Sequence, residues 1–208
     1  MTKYILTEYT LSQMQKISRQ EQKEKTRLGL VTKAEALFSA RGISFTTTAD
    51  IAKSLHVSHG TVFIHFPTRE DLIQAVVEKF GERLSTELGR RLTSNLSLKQ
   101  MLKAHVSVLA DFEDFYLRLI SESQSLPPSI RSLLYAMNAS LSYRFYRAAQ
   151  SQIRDGSIKK LEQPVFFNTW MGLLHYNIMN RDLFSEKTPI LNQLGDELIR
   201  QFLTLVKT

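Results

Sequence analysis

The sequence predicts an all-α protein. Apolar residues recur at helical spacing over long windows, Gly and Pro are scarce at 8 and 5 in 208 residues, and no stretch shows the apolar–polar alternation of a half-buried strand. Hydrophobic residues make up 43%, enough to fill a core. There is no cysteine, which removes disulfides and thiolate metal ligands and suits a reducing, cytoplasmic setting. The first residues lack the apolar core of a signal peptide. The longest uncharged stretch, Gln163 to Asn180, holds Gln, Asn, Thr, His and Pro, and is expected to be a buried helix rather than a membrane span.

Taken in order, residues 1–22 are expected to form an N-terminal extension, and the densely charged 16–27 a solvated lead-in. From Lys25 to Arg41 the stripe Leu30, Val31, Ala34, Leu37, Phe38 marks a first helix, ended by Gly42, which tolerates the left-handed C-cap conformation. Thr47 followed by Asp50 is a capping box, with Ile51, Ala52 and Leu55 on the buried side. His56-Val57-Ser58 makes a tight turn. Ser58 caps a short helix to Phe66, and Pro67 stops it. Thr68 and Asp71 cap the next, which is expected over Arg69–Asn95. Further helices are expected at Ser97–Phe112, Phe115–Gln124, Pro128–Arg154, Pro164–Arg181 and Pro189–Val206.

Helix, tight turn and short helix is an arrangement that lets one helix brace a DNA backbone while the next enters the major groove. Gly60 is its odd feature, since glycine inside a helix costs about 1 kcal/mol relative to alanine. Its missing side chain would permit a close approach to phosphate or base. His59, Thr61, Phe63 and His65 offer donors and an apolar ring for base edges, while Val62 and Phe66 face inward. The net charge of +7 permits an anionic partner but does not locate it: residues 1–80 carry 11 basic against 8 acidic side chains, the remainder 16 against 12.

The run TTTADIAKSLHVSHGTVFIHFPTREDL, preceded by ALFSARG, resembles the DNA-binding signature of TetR/AcrR-type transcriptional regulators. The resemblance covers Arg27 to Leu72. It implies a three-helix DNA-binding domain (23–72), a larger helical effector-binding and dimerisation domain (73–208), and a homodimer on a palindromic operator, with repression the expected sense. It also implies that Thr47 contacts phosphate, that Ser58, His59, Gly60, Thr61, Phe63, Ile64 and His65 form the reading helix, and that Arg69 lies near the DNA backbone. Three departures stand out. His56 replaces the usual turn glycine, Phe63 stands where tyrosine is common, and Arg69 replaces the usual lysine.

Two other classes compete. His56, His59 and His65 could be read as a metal-ligand set, but they straddle a turn and a cap without a His-Glu-x-x-His helix. A helical adaptor without DNA contact is the other. No phosphate loop or nucleophile elbow points to an enzyme, and no cofactor is expected.

Beyond Phe80 the sequence carries no chemical motif. Phe112, Tyr116, Tyr146, Trp170 and His175 are the expected walls of a pocket for a moderately apolar small-molecule effector. Leu191, Leu194, Leu198 and Phe202 form one stripe, and Phe166, Leu173, Leu174 and Ile178 another. These two stripes are expected to build a four-helix dimer interface. The long helix from Arg69 joins both parts and would act as the lever between effector and DNA.

Overall fold

The computed structural model describes residues 2–91, 97–184 and 189–208. Helix α1 (Thr2–Arg41) is followed by α2 (Thr48–Ser54), α3 (His59–His65) and α4 (Arg69–Arg91). Then come α5 (Leu98–Ala110), α6 (Glu113–Ser121), a 3₁₀ turn at Ser123–Ser125, α7 (Pro128–Arg154), α8 (Gln163–Met179), a second 3₁₀ turn at Arg181–Leu183, and α9 (Leu191–Val206). Among the described residues there is no strand, only an isolated bridge between Ile158 and Lys207.

The caps fall where their chemistry requires. Thr47 and Asp50 form a reciprocal capping box, and so do Ser97 and Gln100. The Thr68 hydroxyl accepts from Asp71 N at 3.1 Å while Asp71 accepts from Thr68 N at 2.8 Å. The first helix differs from expectation. It is continuous from Thr2 instead of starting near Lys25. Its exposed stretch of Gln, Glu and Lys consists of good helix formers, so it continues the helix without an apolar stripe to announce it. The expected end of α4 at Asn95 lies outside the described residues.

One continuous core runs through the molecule. Helix α1 packs on α2, α4 and α6, α5 packs on α4, α7 and α9, and α8 packs on α6, α7 and α9. At Gly195 the contact between α9 and α5 is so close that an added Cβ would lie 2.4 Å from Val106 Cγ1. The buried carboxylate of Glu113 supplies the N-terminal end of α9 with acceptors, taking Ile190 N at 2.8 Å and Leu191 N at 2.9 Å. Arg181 balances it from 3.6 Å.

The α8–α9 stripes expected to face a second subunit are mostly inside this core. Phe166, Leu174, Ile178, Leu191, Leu198 and Phe202 are buried within the protomer, and only Leu173 and Leu194 are partly accessible. The apolar periodicity of both helices is satisfied by each other, by α5 and by the aromatic cluster of Phe145, Phe166, Trp170 and Phe202. Their opposite face exposes Val165, Tyr176 and Leu205, and a shallow groove there runs between Leu173 and the side chains of Arg200, Gln201 and Leu205.

Candidate nucleic-acid interface

Helices α2 and α3 are braced as a pair. Ile51, Ala52, Val62 and Phe66 are buried in the core, and Arg27 lies over the Phe66 ring at 4.7 Å. The turn between them needs a left-handed residue, and His56 takes it, with φ +55°. A residue with a Cβ in that conformation adds strain that glycine would not. Ser58 caps α3, accepting from Thr61 N at 3.1 Å and bonding Thr61 Oγ1 at 2.8 Å. His59 Nε2 lies 2.8 Å from Thr48 Oγ1, which fixes the angle between the two helices.

The outer face of α3 is open. Ile64 is 72% and Phe63 42% exposed, and His59 meets the Phe63 ring edge-on at 4.9 Å. Gly60 has no internal reason to be glycine. A Cβ added there would meet only Ser58 Oγ, at an ordinary 3.7 Å.

Three expected contact residues are placed differently. The Thr47 hydroxyl donates to Asp50 Oδ2 at 2.6 Å and accepts from Asp50 N, so it serves the cap. His65 is half-buried against α1, and its Nδ1 has no partner. Burial, followed by the charges of Lys23 and Arg27, lowers its pKa. Arg69 turns its guanidinium back, donating to the carbonyls of Ile43 and, through Nη2 at 3.3 Å, Thr46. Two cations not singled out in the sequence stand nearer the outside: Arg41 and Lys53 are exposed, and both lower the pKa of Asp50 behind its bonds to Thr47.

The turn between α1 and α2 is clamped from two directions. Arg69 holds its carbonyls, and Glu122, at the end of α6, takes its amides. Ile43 N donates to Oε1 at 3.1 Å and Ser44 N to Oε2 at 2.7 Å. Gly42 is doubly required, with φ +95° and an imagined Cβ 2.7 Å from Glu122 Oε1. Nothing local in the sequence announces Glu122, whose partners lie 79 and 78 positions away.

Residues 30–76 match the family model described as bacterial regulatory proteins, tetR family. Over these residues the chain is similar to the tetR family. Over 88 residues it is 33% identical to the HTH-type transcriptional repressor Rv3405c of Mycobacterium tuberculosis, covering 42% of this chain and 46% of that protein. The chain thus spans about half the length of that relative. Among solved structures, a TetR transcriptional regulator from Chloroflexus aurantiacus aligns with a TM-score of 0.73 at 18% identity, covering 90% of this chain and 98% of the other. A transcriptional regulator from Saccharomonospora viridis in complex with choline aligns at 0.74 and 17%, covering 89% and 99%. These structural likenesses establish a shared fold.

A cavity of about 200 Å³ opens between α4, α5, α6, α7 and α8. Tyr116 and His175 line it, as expected, and bond each other, with Oη 2.8 Å from Nε2. Burial raises the Tyr116 pKa and lowers that of His175. The other three expected walls lie elsewhere. Trp170 is fully buried in the core, Tyr146 donates to Leu161 O at 3.0 Å, and Phe112 packs on Phe80 beneath Arg83. His105 and Arg131 were missed and both line the cavity. His105 lies on the otherwise apolar buried face of α5, where only a neighbouring helix could reveal its role.

Among the described residues no three His, Cys, Asp or Glu side chains are grouped to hold a metal ion. No described helix is long and apolar enough to cross a membrane.

Proposed function

We propose that this chain is a transcriptional regulator that binds double-stranded DNA as a homodimer, with α3 in the major groove, and is released by a small-molecule effector. The reader is residues 23–72 and the sensor residues 73–208. The observation that carries the reading is the outer face of α3, where Phe63 and Ile64 stand exposed beside a glycine that the fold itself does not require. A groove about 12 Å wide admits a helix whose leading face is slim, and Gly60 makes it so. His59 and Phe63 then reach base edges and thymine methyls, and Arg41 and Lys53 flank the helix as phosphate partners.

Repression is the expected sense, as in the relative named a repressor. The cavity is the effector site, and the choline complex of a fold neighbour is a precedent for a small ligand in this fold. Dimerisation uses the outer face of α8 and α9, around Leu173 and Leu205, since the inner stripes are already covered. The effector acts through two connections: α4, which begins at the reader and lines the cavity with Phe80 and Leu84, and Glu122, which holds the α1–α2 turn one residue before cavity-lining Ser123. A ligand that prefers one arrangement of these elements shifts the separation of the two α3 helices.

Selection of bound duplexes from a random DNA pool tests the reading. The expected outcome is a palindromic consensus with half-sites spaced by one helical turn of DNA, about 10 base pairs, or a multiple. Retention of the pool without enrichment, or enrichment of single-stranded or non-palindromic sequences, would overturn it.

A further inference from the structure

The cavity carries a chemical bias that its apolar lining hides. Of the polar groups lining it, His105 and Arg131 present donors, Tyr116 and His175 are matched to each other, and Ser123, Gln124, Tyr135 and Asn138 can donate as well as accept; its only formal charge is positive. Trp170 Nε1–H donates to His105 Nδ1 at 3.2 Å. His105 is buried among Phe145 and Trp170, and burial lowers its pKa to about 3, with His175 adding a small push in the same direction. A neutral ring whose Nδ1 accepts must carry its proton on Nε2. Trp170 thus locks His105 as a donor. Tyr116 and His175 satisfy one another across the cavity. Arg131 is half-buried, with Nη1 donating to Leu126 O at 2.9 Å and more distantly to Gln124 O, and a guanidinium has five N–H donors to distribute. Among the described lining residues there is no carboxylate. The remaining wall includes Phe80, Leu84, Leu109, Leu119, Leu134 and Leu141.

We infer that the effector is a small amphiphile headed by an acceptor oxygen, a carboxylate or an ester carbonyl, seated against His105 and Arg131, and that ammonium-headed molecules are rejected. This rests on the effector role proposed above. An acceptor oxygen gives the His105 proton a partner and keeps an apolar tail on the leucine wall. An ammonium group would enter a cavity with no anion to pair it and with a guanidinium already present, which leaves a buried charge uncompensated. Carboxylate and ester share the carbonyl acceptor and differ in charge, so Arg131 separates them.

The experiment uses the full chain at pH 7 with three probes of one tail length: octanoate, methyl octanoate and octylamine. Binding is read by titration calorimetry and by the fluorescence of Trp170, the only tryptophan, whose indole N–H is bonded to His105. At least one acceptor-headed probe should bind about tenfold or more tighter than octylamine. His105→Phe should weaken that probe by about tenfold, with its fold checked by circular dichroism. Arg131→Gln should weaken octanoate about tenfold more than it weakens methyl octanoate, and it keeps the test decisive if the His105 variant does not fold. Octylamine binding as tightly as the acceptors would overturn the inference, as would failure of all three probes or insensitivity to both substitutions. A gel shift on the same samples keeps the two claims apart. A probe that binds without releasing DNA refutes the effector role and leaves the ligand chemistry standing, whereas DNA binding without any probe binding does the reverse.

Discussion

His56 sits in left-handed backbone at φ +55°, a conformation that costs an L-residue with a Cβ about 1 kcal/mol and costs glycine almost nothing. His56→Gly is therefore expected to stabilise the protein by somewhat under 1 kcal/mol, because glycine also gains freedom in the unfolded chain. Thermal unfolding checks it through a midpoint higher by about 2 °C, and a lower midpoint would mean that the histidine ring makes a contact worth more than the strain. At this scale the sequence was most legible where the chemistry is local. The pairs Thr47–Asp50 and Thr68–Asp71, the Ser58 cap and the exposure of Phe63 and Ile64 all follow from spacings of three or four residues. The inward turn of the Arg69 guanidinium was not legible, because its partners, Ile43 and Thr46, come from another helix connection. A charged side chain at a helix start looks the same in sequence whether it points out or in.

At the scale of elements, the α1–α2 turn is where the proposed reader and sensor meet. Its amides end on Glu122 and its carbonyls on Arg69, so neither part can shift without breaking charge-assisted bonds, each worth about 1.5–3 kcal/mol. Glu122→Ala should speed hydrogen exchange at the Ile43 and Ser44 amides by about tenfold or more, since local opening no longer breaks a bond to a carboxylate. Unchanged exchange at both positions would remove Glu122 from the connection. Helix boundaries from α5 onward could be set within a few residues from proline, glycine and capping signals, and α7 starts at Pro128 and ends at Arg154 as expected. The faces of α8 and α9 could not be assigned so well. Both carry apolar stripes, and a stripe records that something covers it without saying what. Here the coverer is the protomer's own core, with Phe166 and Trp170 against Phe202 and with Gly195 against Val106.

For the whole molecule, one hydrophobic core spans the proposed reader and sensor, so unfolding is expected to be a single event that buried histidines can report. His105 has a folded pKa near 3, and His65 and His175 are shifted downward as well. Each binds its proton more readily when unfolded, so the stability they contribute is present above pH 6.5 and is lost as the pH falls below it. His105 alone accounts for about 1.4 kcal/mol per pH unit, or about 2 kcal/mol between pH 6.5 and 5. Urea unfolding at pH 7 and pH 5 checks this, and equal midpoints would show that His105 can be protonated without unfolding. The all-α fold and its helix-turn-helix were legible because a helix-turn-helix is built from contacts close in sequence. The cavity was only half legible because Tyr116, His175, His105 and Arg131 lie on four different helices. What joins these scales is the claim that α3 is shaped for a DNA groove, and substitution of Gly60 tests it most directly. Gly60→Leu adds a helix-favouring side chain at an exposed position where an added Cβ meets only Ser58 Oγ, at 3.7 Å, so the variant should unfold at the same temperature or higher. Its affinity for the selected duplex should fall by about 100-fold or more, the effect of losing roughly 3 kcal/mol at the contact. A stable variant that shifts that duplex as strongly as the natural protein would contradict the account.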